Sequence, residues 1–261
     1  MNYIAFPGLN IALTINPVAF NIGDKEVYWY GIIIALGVFM GTLISLNAAK
    51  KEDIKTDTIL DLLIFGVPSA LICGRLYYCI FKLPYYIEHP EEIIAVWKGG
   101  IAIYGGIIGA IISTGIYCKI KKLNWKQIFD IGILGVITGQ IIGRWGNFIN
   151  AEAYGTETTM PWRMEIINSG AVSAVHPTFL YESLWNLIGL FILLKINKHK
   201  KRNGDTFFSY LIWYGIGRAL IEGLRTDSLY LGPLRISQVL GIVTALLGII
   251  YFLIITKKEA L

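Results

Sequence analysis

GRWGNFINAEAYG, residues 143–155, closes one of the most apolar parts of the chain and decides how the rest is read. Directly before it stand Ile133, Leu134, Val136, Ile137, Ile141 and Ile142, yet the stretch itself holds Arg144, Asn147, Asn150 and Glu152 among three glycines. Polar groups in membrane-soluble helix survive only where they face a partner, a cavity or a ligand, so an ionisable residue there marks a functional site by default. At about 100° per residue, Asp130, Gln140, Arg144 and Asn147 share an arc of roughly 100°, and Gly132, Gly135, Gly139, Gly143 and Gly146 fill the adjacent arc of roughly 80°. Gly135, Gly139 and Gly143 are spaced as consecutive GxxxG steps, which admit a neighbouring helix at close range while the polar face looks into a bundle. The same pattern also serves a packing helix with one ion pair.

Working outward, the composition agrees. Of 261 residues 55% are apolar and only 16% charged, which is membrane-protein usage and not that of soluble domains. Seven segments are long and apolar enough to span a bilayer, at about 28–49, 58–81, 99–118, 127–149, 178–195, 206–224 and 234–256. The expected fold is an all-α integral membrane protein: a seven-transmembrane-helix bundle forming a single domain over 1–261, with an N-terminal arm and a small extracytoplasmic head at 151–177. Assigning loops alternately puts 14 of the 23 Lys and Arg on one side, from Lys50 to Lys258, and six on the other; Arg75, Arg144 and Arg218 lie inside spans. The positive-inside rule then places the N-terminus outside and the C-terminus in the cytoplasm of a multi-pass membrane protein. Clusters such as Lys198 to Arg202 sit where topology signals belong, so the net charge of +5 calls for no nucleic-acid partner.

Residues 1–27 lack the basic start of a signal peptide and contain Pro7, Pro17 and Asp24. Their alternation of Phe6, Leu9, Ile11, Leu13, Ile15 and Val18 with polar or small residues fits an interfacial arm. Cys73, Cys79 and Cys118 form neither a disulfide framework nor a metal-ligand spacing and read as small buried hydrophobes. The chain has no Walker motif, no nucleotide loop, no metal cluster and no internal repeat of the transporter kind, so no cofactor or metal is implied.

Span six is the second informative stretch. Tyr210, Tyr214, Arg218, Glu222 and Arg225 follow at i, i+4, i+8, i+12 and i+15, within an arc of roughly 120°. Arg218 and Glu222 can pair at i,i+4, either as part of a site or as a buried ion pair fixing the bundle register. In span two, Pro68 should kink the helix, and Arg75, in Gly74-Arg75 before Tyr77-Tyr78, can bind a headgroup or snorkel to the surface. Span three opens GGIAIYGG at 99–106, where four glycines permit a broken helix entry or close backbone approach. Asp61 and Asp130, near the inner ends, read as structural or capping groups.

The run from Gly143 through Asn150, continuing through Glu152 to Gly155, resembles the signature of the prolipoprotein diacylglyceryl transferase family. The run YGIGRALIEGLR at 214–225 and the run HPTFLYE at 176–182 are similar to that family's as well. The resemblance implies transfer of a diacylglyceryl group from phosphatidylglycerol to the thiol of the lipobox cysteine of prolipoproteins, with glycerol phosphate released and no cofactor. It implies that the arginines of the 214–225 run, Arg218 and Arg225, meet the lipid phosphate; because guanidinium binds phosphate oxygens in a bidentate fork, Arg144 and Arg218 are the first candidates for that role, with Asn147 and Asn150 orienting the headgroup and Glu222 holding Arg218. It adds Tyr30 of the Trp29-Tyr30-Gly31 group, Glu152, Arg75, Tyr214, Arg225 and His176 as substrate-binding positions, and Tyr104 as a catalytic one. At Tyr104 the family frequently has His. That departure tells against an imidazole base there, because a phenol is a poor base at neutral pH, and it leaves the base unassigned.

Two other readings fit the charges. A transporter or channel would line its path with buried Arg and Asp, but such carriers show repeats and a midplane site, whereas the polar positions here crowd toward one leaflet. A scaffold would tolerate neutral substitution at Arg144.

Overall fold

The computed structural model describes residues 1–168 and 170–259; Ser169, in the expected head segment, and the last two residues lie outside that description. In chain order come strands β1 (Asn2–Phe6), β2 (Ile11–Ile15), β3 (Val18–Ile22) and β4 (Lys25–Tyr28), then helices α1 (Trp29–Lys51), α2 (Thr56–Phe81), α3 (Leu83–Glu88), α4 (Ile103–Lys121) and α5 (Trp125–Asn150). Strands β5 (Met164–Asn168) and β6 (Ala171–Val175) follow, then α6 (Thr178–His199), α7 (Asp205–Glu222), the short strands β7 (Tyr230–Leu231) and β8 (Leu234–Arg235), and α8 (Ile236–Glu259).

Each of the seven expected apolar segments is a helix, within a few residues at either end, and the short α3 is an addition. Among the described residues six helices are long and apolar enough to cross a membrane, and the chain is an integral membrane protein. The exception among the seven is α7, which is 18 residues long and holds three charged side chains, Asp205, Arg218 and Glu222, within that length. Pro68 lies inside a continuous α2.

The chain divides into two compact units, Met1–Ser45 with Gly132–Leu261, and Leu46–Ile131. In the first, α1 and α5 pack through the expected glycine stripe. A Cβ on Gly41 would lie 2.5 Å from the Gly135 carbonyl oxygen, one on Gly135 2.4 Å from Ser45 Oγ, and one on Gly37 3.3 Å from the Gly139 carbonyl oxygen. The stripe continues with Gly143 against Ile34 and Gly146 against the Tyr30 ring. Missing side chains at these steps let the backbones meet, as GxxxG spacing allows. Helices α7 and α8 use the same device where Gly215 meets Gly241.

The head and arm, whose elements the sequence leaves unassigned, are β-structure. One antiparallel sheet has the order β2-β1-β5-β6, with Ile4 opposite both Leu13 and Ile166. The apolar alternation of the arm is thus a strand period, and the arm buries Ile4 with Met164, Ile166, Val175 and Phe179. Phe148, at the end of α5, packs on the same core, and Asn2 Nδ2 donates to the Ile149 carbonyl at 2.9 Å. The arm therefore braces the end of the helix that carries the signature.

In the second unit α2 and α4 pack closely because Gly105 and Gly109 leave room for the Cys73 and Ser69 carbonyls. The Tyr117 hydroxyl donates to Asp61 at 2.7 Å, a structural use of that carboxylate. Cys79 and Cys118 are buried free thiols.

Candidate active site

Helix α5 ends in a turn that presents the polar half of the signature. The Glu152 amide donates to the Asn147 carbonyl at 3.0 Å and the Ala151 amide to the Phe148 carbonyl at 3.0 Å, the paired bonds of a Schellman cap. Ala151 occupies its left-handed position at φ 51, where glycine is the usual residue and a side chain costs about 1 kcal/mol. The cap folds Glu152 back over the helix end. Its Oε1 accepts from Asn147 Nδ2 at 2.9 Å and Asn150 Nδ2 at 3.3 Å. Asn147 Oδ1 accepts from Arg144 Nη1 at 3.2 Å. Trp145 and Phe148, turned the other way, pack on Phe179 of α6 with centroids at 5.5 and 4.8 Å.

Arg144 leads to a residue that was not among the expected site residues. Glu182 of α6, with a side chain only 5% exposed, lies 2.5 Å from Arg144 Nη2. It also accepts from Arg218 Nη1 at 3.2 and 3.3 Å and from Arg225 Nη1 at 3.2 Å. One buried carboxylate thus gathers three guanidinia from α5, α7 and the turn after α7. The expected i,i+4 pair is present, with Arg218 Nη2 2.7 Å from Glu222 Oε2, and Arg225 Nε lies 3.9 Å from the same oxygen. That oxygen has no aligned hydrogen bond, so the contact is one of charge, and the 2.7 Å separation is what holds Arg218. Arg235 Nη1 donates to the Glu222 carbonyl. Buried charges persist only when paired in this way.

Arg225 turns its other edge to Asp227, with Nε to Oδ1 at 2.9 Å and Nη2 to Oδ2 at 2.6 Å. Burial alone would lower the Arg225 pKa and raise that of Asp227. The forked pair reverses both, so Arg225 is held more firmly charged and the Asp227 carboxyl falls below its ordinary range. Three guanidinia face two buried carboxylates, Glu182 and Glu222, and the balance is carried by Asp227, half-exposed at the rim. Arg144 is the most open of the three arginines.

The head is tied to this cluster by Gly155. Its amide donates to the His176 carbonyl at 2.9 Å and it bridges to Arg225, while a Cβ on it would lie 2.7 Å from His176 Cβ. His176 Nδ1 is 3.1 Å from the Tyr181 hydroxyl, which accepts from Trp162 Nε1 at 2.7 Å. Tyr214 stacks on Tyr210 with centroids 5.4 Å apart, and Gln140 Nε2 donates to the Tyr210 hydroxyl at 2.8 Å. The Tyr30 ring covers Gly146, where a Cβ would approach it to 2.7 Å.

Arg75 and Tyr104 belong to the second unit. Arg75 is almost fully buried and its donors go to backbone carbonyls: Nε to Ile93 at 2.8 Å, Nη1 to Gly99 at 2.6 Å and Gly100 at 3.0 Å, and Nη2 to Glu92 at 2.6 Å. It staples the segment ahead of α4, where Gly99 and Gly100 are left-handed and a Cβ on Gly100 would strike Arg75 Nη1 at 2.5 Å. The Ala102 amide donates to the Gly74 carbonyl at 3.0 Å. This is the broken helix entry expected at 99–106, and half-buried Tyr104 sits in the first turn after it.

Glu182 was legible in principle. It is the carboxylate of the HPTFLYE run and an ionisable residue in an apolar helix, the signal used for Arg144. Asp227 carries no such signal, since it lies in the polar connection after α7.

The family model described as prolipoprotein diacylglyceryl transferase matches residues 17–254. A phosphatidylglycerol--prolipoprotein diacylglyceryl transferase of Bacillus velezensis is 46% identical over 245 residues, 90% of each chain. One from Lysinibacillus sphaericus is 46% identical over 255 residues, 92% of this chain and 93% of that one, and one from Bacillus cytotoxicus 46% over 249 residues, 92% of each.

Proposed function

Since the chain belongs to the prolipoprotein diacylglyceryl transferase family, we infer from its arginine cluster how it carries out the family's reaction. The protein is a transferase that moves the diacylglyceryl group of phosphatidylglycerol to a prolipoprotein. The acceptor atom is the thiol of the lipobox cysteine. As the sulfur bonds to the glyceryl carbon, the carbon–oxygen bond to phosphate breaks and glycerol phosphate departs with the bonding electrons.

Such a step needs a thiolate as nucleophile and positive charge where the phosphate leaves. The observation that carries the assignment is Glu182 holding Arg144, Arg218 and Arg225 on one carboxylate. A phosphodiester is an anion, and guanidinium meets phosphate oxygens as a planar fork that keeps its charge in low dielectric. Arg144 and Arg218 bind the phosphate, Glu222 fixes Arg218, Glu182 sets the spacing, and Asn147 and Asn150 orient the glycerol headgroup, with Glu152 fixing both amides. Tyr30, Tyr214, Arg225 and His176 shape the surroundings. Arg75 acts through the segment that delivers Tyr104, whose hydroxyl orients substrate by a hydrogen bond.

Seven helices cross the bacterial cell membrane, α7 included because its Arg218 and Glu222 face this cluster, with the N-terminus and head outside and the C-terminus inside. The 14-to-six division of basic residues supports that orientation. The test of function is direct: purified protein, phosphatidylglycerol and a lipobox peptide should yield a diacylglyceryl mass increment on the cysteine, and none on a Cys→Ser peptide.

A further inference from the structure

A second charged site stands at the other end of α7. The arginine cluster gathers at the helix's C-terminal end, at Glu222; its first residue, Asp205, lines a recess of about 500 Å³. Seventeen residues of helix put the two about 26 Å apart, close to the thickness of a bilayer's hydrocarbon core. The recess is lined by Lys195, His199, Lys200 and Lys201, by Asp205, and by the apolar Ile196 and Phe252.

We propose that this recess binds the phosphate of an anionic phospholipid in the leaflet opposite the arginine cluster, with an acyl chain running along the apolar face of α8. The shared chemistry is a phosphate anion, and the source is a lipid because the wall beneath the lysines is apolar.

Three observations support it. Lys195 and His199 lie at i and i+4 on α6 and point to one side, and the α6–α7 connection brings Lys200 and Lys201 to the same recess. A cluster serving only as a topology signal has no need to converge. Asp205, the one acidic residue of the described lining, is turned to Arg202 Nε at 3.5 Å and to the Tyr251 hydroxyl at 3.5 Å, and Lys195, His199 and Lys201 form no ion pair among the described residues. Finally the walls are fixed. Thr206 Oγ1 donates to Asn197 Oδ1 at 2.9 Å across the connection, and Tyr251 stacks on Phe208 with centroids 3.7 Å apart, which holds α8 and Phe252 against α7. Each basic side chain near an anionic leaflet adds attraction, and a choline headgroup would set a cation against the lysines.

The test uses the full chain in detergent, delipidated and then titrated with phosphatidylglycerol, phosphatidylcholine or inorganic phosphate, with bound lipid counted by native mass spectrometry. The variants are Lys195→Gln with Lys201→Gln, Lys201→Gln alone in case the pair inserts poorly, and Lys50→Gln with Lys51→Gln as a charge-matched control on α1. The parent should retain one phosphatidylglycerol beyond any held at the arginine cluster, at least tenfold more tightly than phosphatidylcholine. The Lys195/Lys201 pair should lose that molecule and the control pair keep it, with transfer activity unaffected in either case. Equal loss in both pairs would reduce the recess to diffuse surface charge. Displacement by millimolar inorganic phosphate would make it a site for free phosphate, and undiminished binding in the Lys195/Lys201 pair would remove it. Because the readout is bound lipid, it stands or falls separately from the transfer reaction.

Discussion

Trp185 and Trp213 are bonded to each other in both directions: each indole Nε1 donates to the other residue's carbonyl oxygen at 3.0 Å, and the rings stack 4.5 Å apart. Each ring lies over a glycine of the opposite helix, Trp213 over Gly189 and Trp185 over Gly217. Trp185 is one turn from Glu182 and Gly217 adjoins Arg218, so this clasp fixes the register in which the carboxylate meets the guanidinium. Gly217→Ala would place a Cβ 2.2 Å from Trp185 Nε1. Overpacking of this kind costs about 1–3 kcal/mol; the variant should melt earlier in detergent and lose activity beyond what its folded fraction explains, whereas Gly115→Ala, where nothing lies within 4 Å, should do neither.

Glu182→Gln removes the charge that three arginines share. Deleting one partner of a buried ion pair costs about 3–5 kcal/mol, so this variant should be less stable and less active than Glu222→Gln, whose carboxylate meets Arg218 and, at longer range, Arg225. Glu222→Gln should in turn cost less activity than Arg218→Ala, and combining those two should be clearly non-additive. Melting curves and initial rates for the set decide it; additive losses would mean that the cluster does not act as a unit.

Asp227 gives the cluster an acid limb. Its carboxyl is held below the ordinary range by Arg225, so its contribution is complete above the unfolded-state value of about 3.9 and is lost as pH falls through the lower folded value. Thermal stability followed from pH 7 downward should fall in that acid range for the parent. In Asp227→Asn the part due to this pair should be missing, leaving a flatter acid limb and a lower plateau at neutral pH.

Tyr104 separates two roles. A phenol and an imidazole can both orient substrate through a hydrogen bond, so Tyr104→His should keep substantial activity, and Tyr104→Phe should lose more because a partner is left unpaired. Rates across pH with a saturating lipobox peptide are the measurement. A large gain in the His variant that titrates near pH 6.5, the reference value for imidazole, would restore a base at this position.

The helices were legible because hydropathy and the 3.6 period report them directly, and Gly135, Gly139 and Gly143 announced the close approach to α1. The Arg218–Glu222 pair followed from i,i+4 spacing alone. The head was not legible, since β1 pairs with β5 across some 160 residues of sequence and neither strand signals its partner. Arg75 escaped for another reason: its acceptors are backbone carbonyls of Glu92, Ile93, Gly99 and Gly100, which no residue pattern encodes. Glu182 stood in a motif already noticed, but only the packing of α5, α6 and α7 shows that a single carboxylate serves three arginines.

The most direct test of phosphate binding by the cluster is the rate of diacylglyceryl transfer by Arg144→Lys, with phosphatidylglycerol and peptide varied in turn. Lysine keeps the charge but not the fork that reaches Glu182 and Asn147 together. The expected result is a variant that inserts and melts like the parent, with kcat/KM for phosphatidylglycerol lowered at least tenfold and KM for the peptide unchanged. Near-parental turnover in Arg144→Lys, or a loss confined to the peptide, would contradict a phosphate-binding role for this arginine.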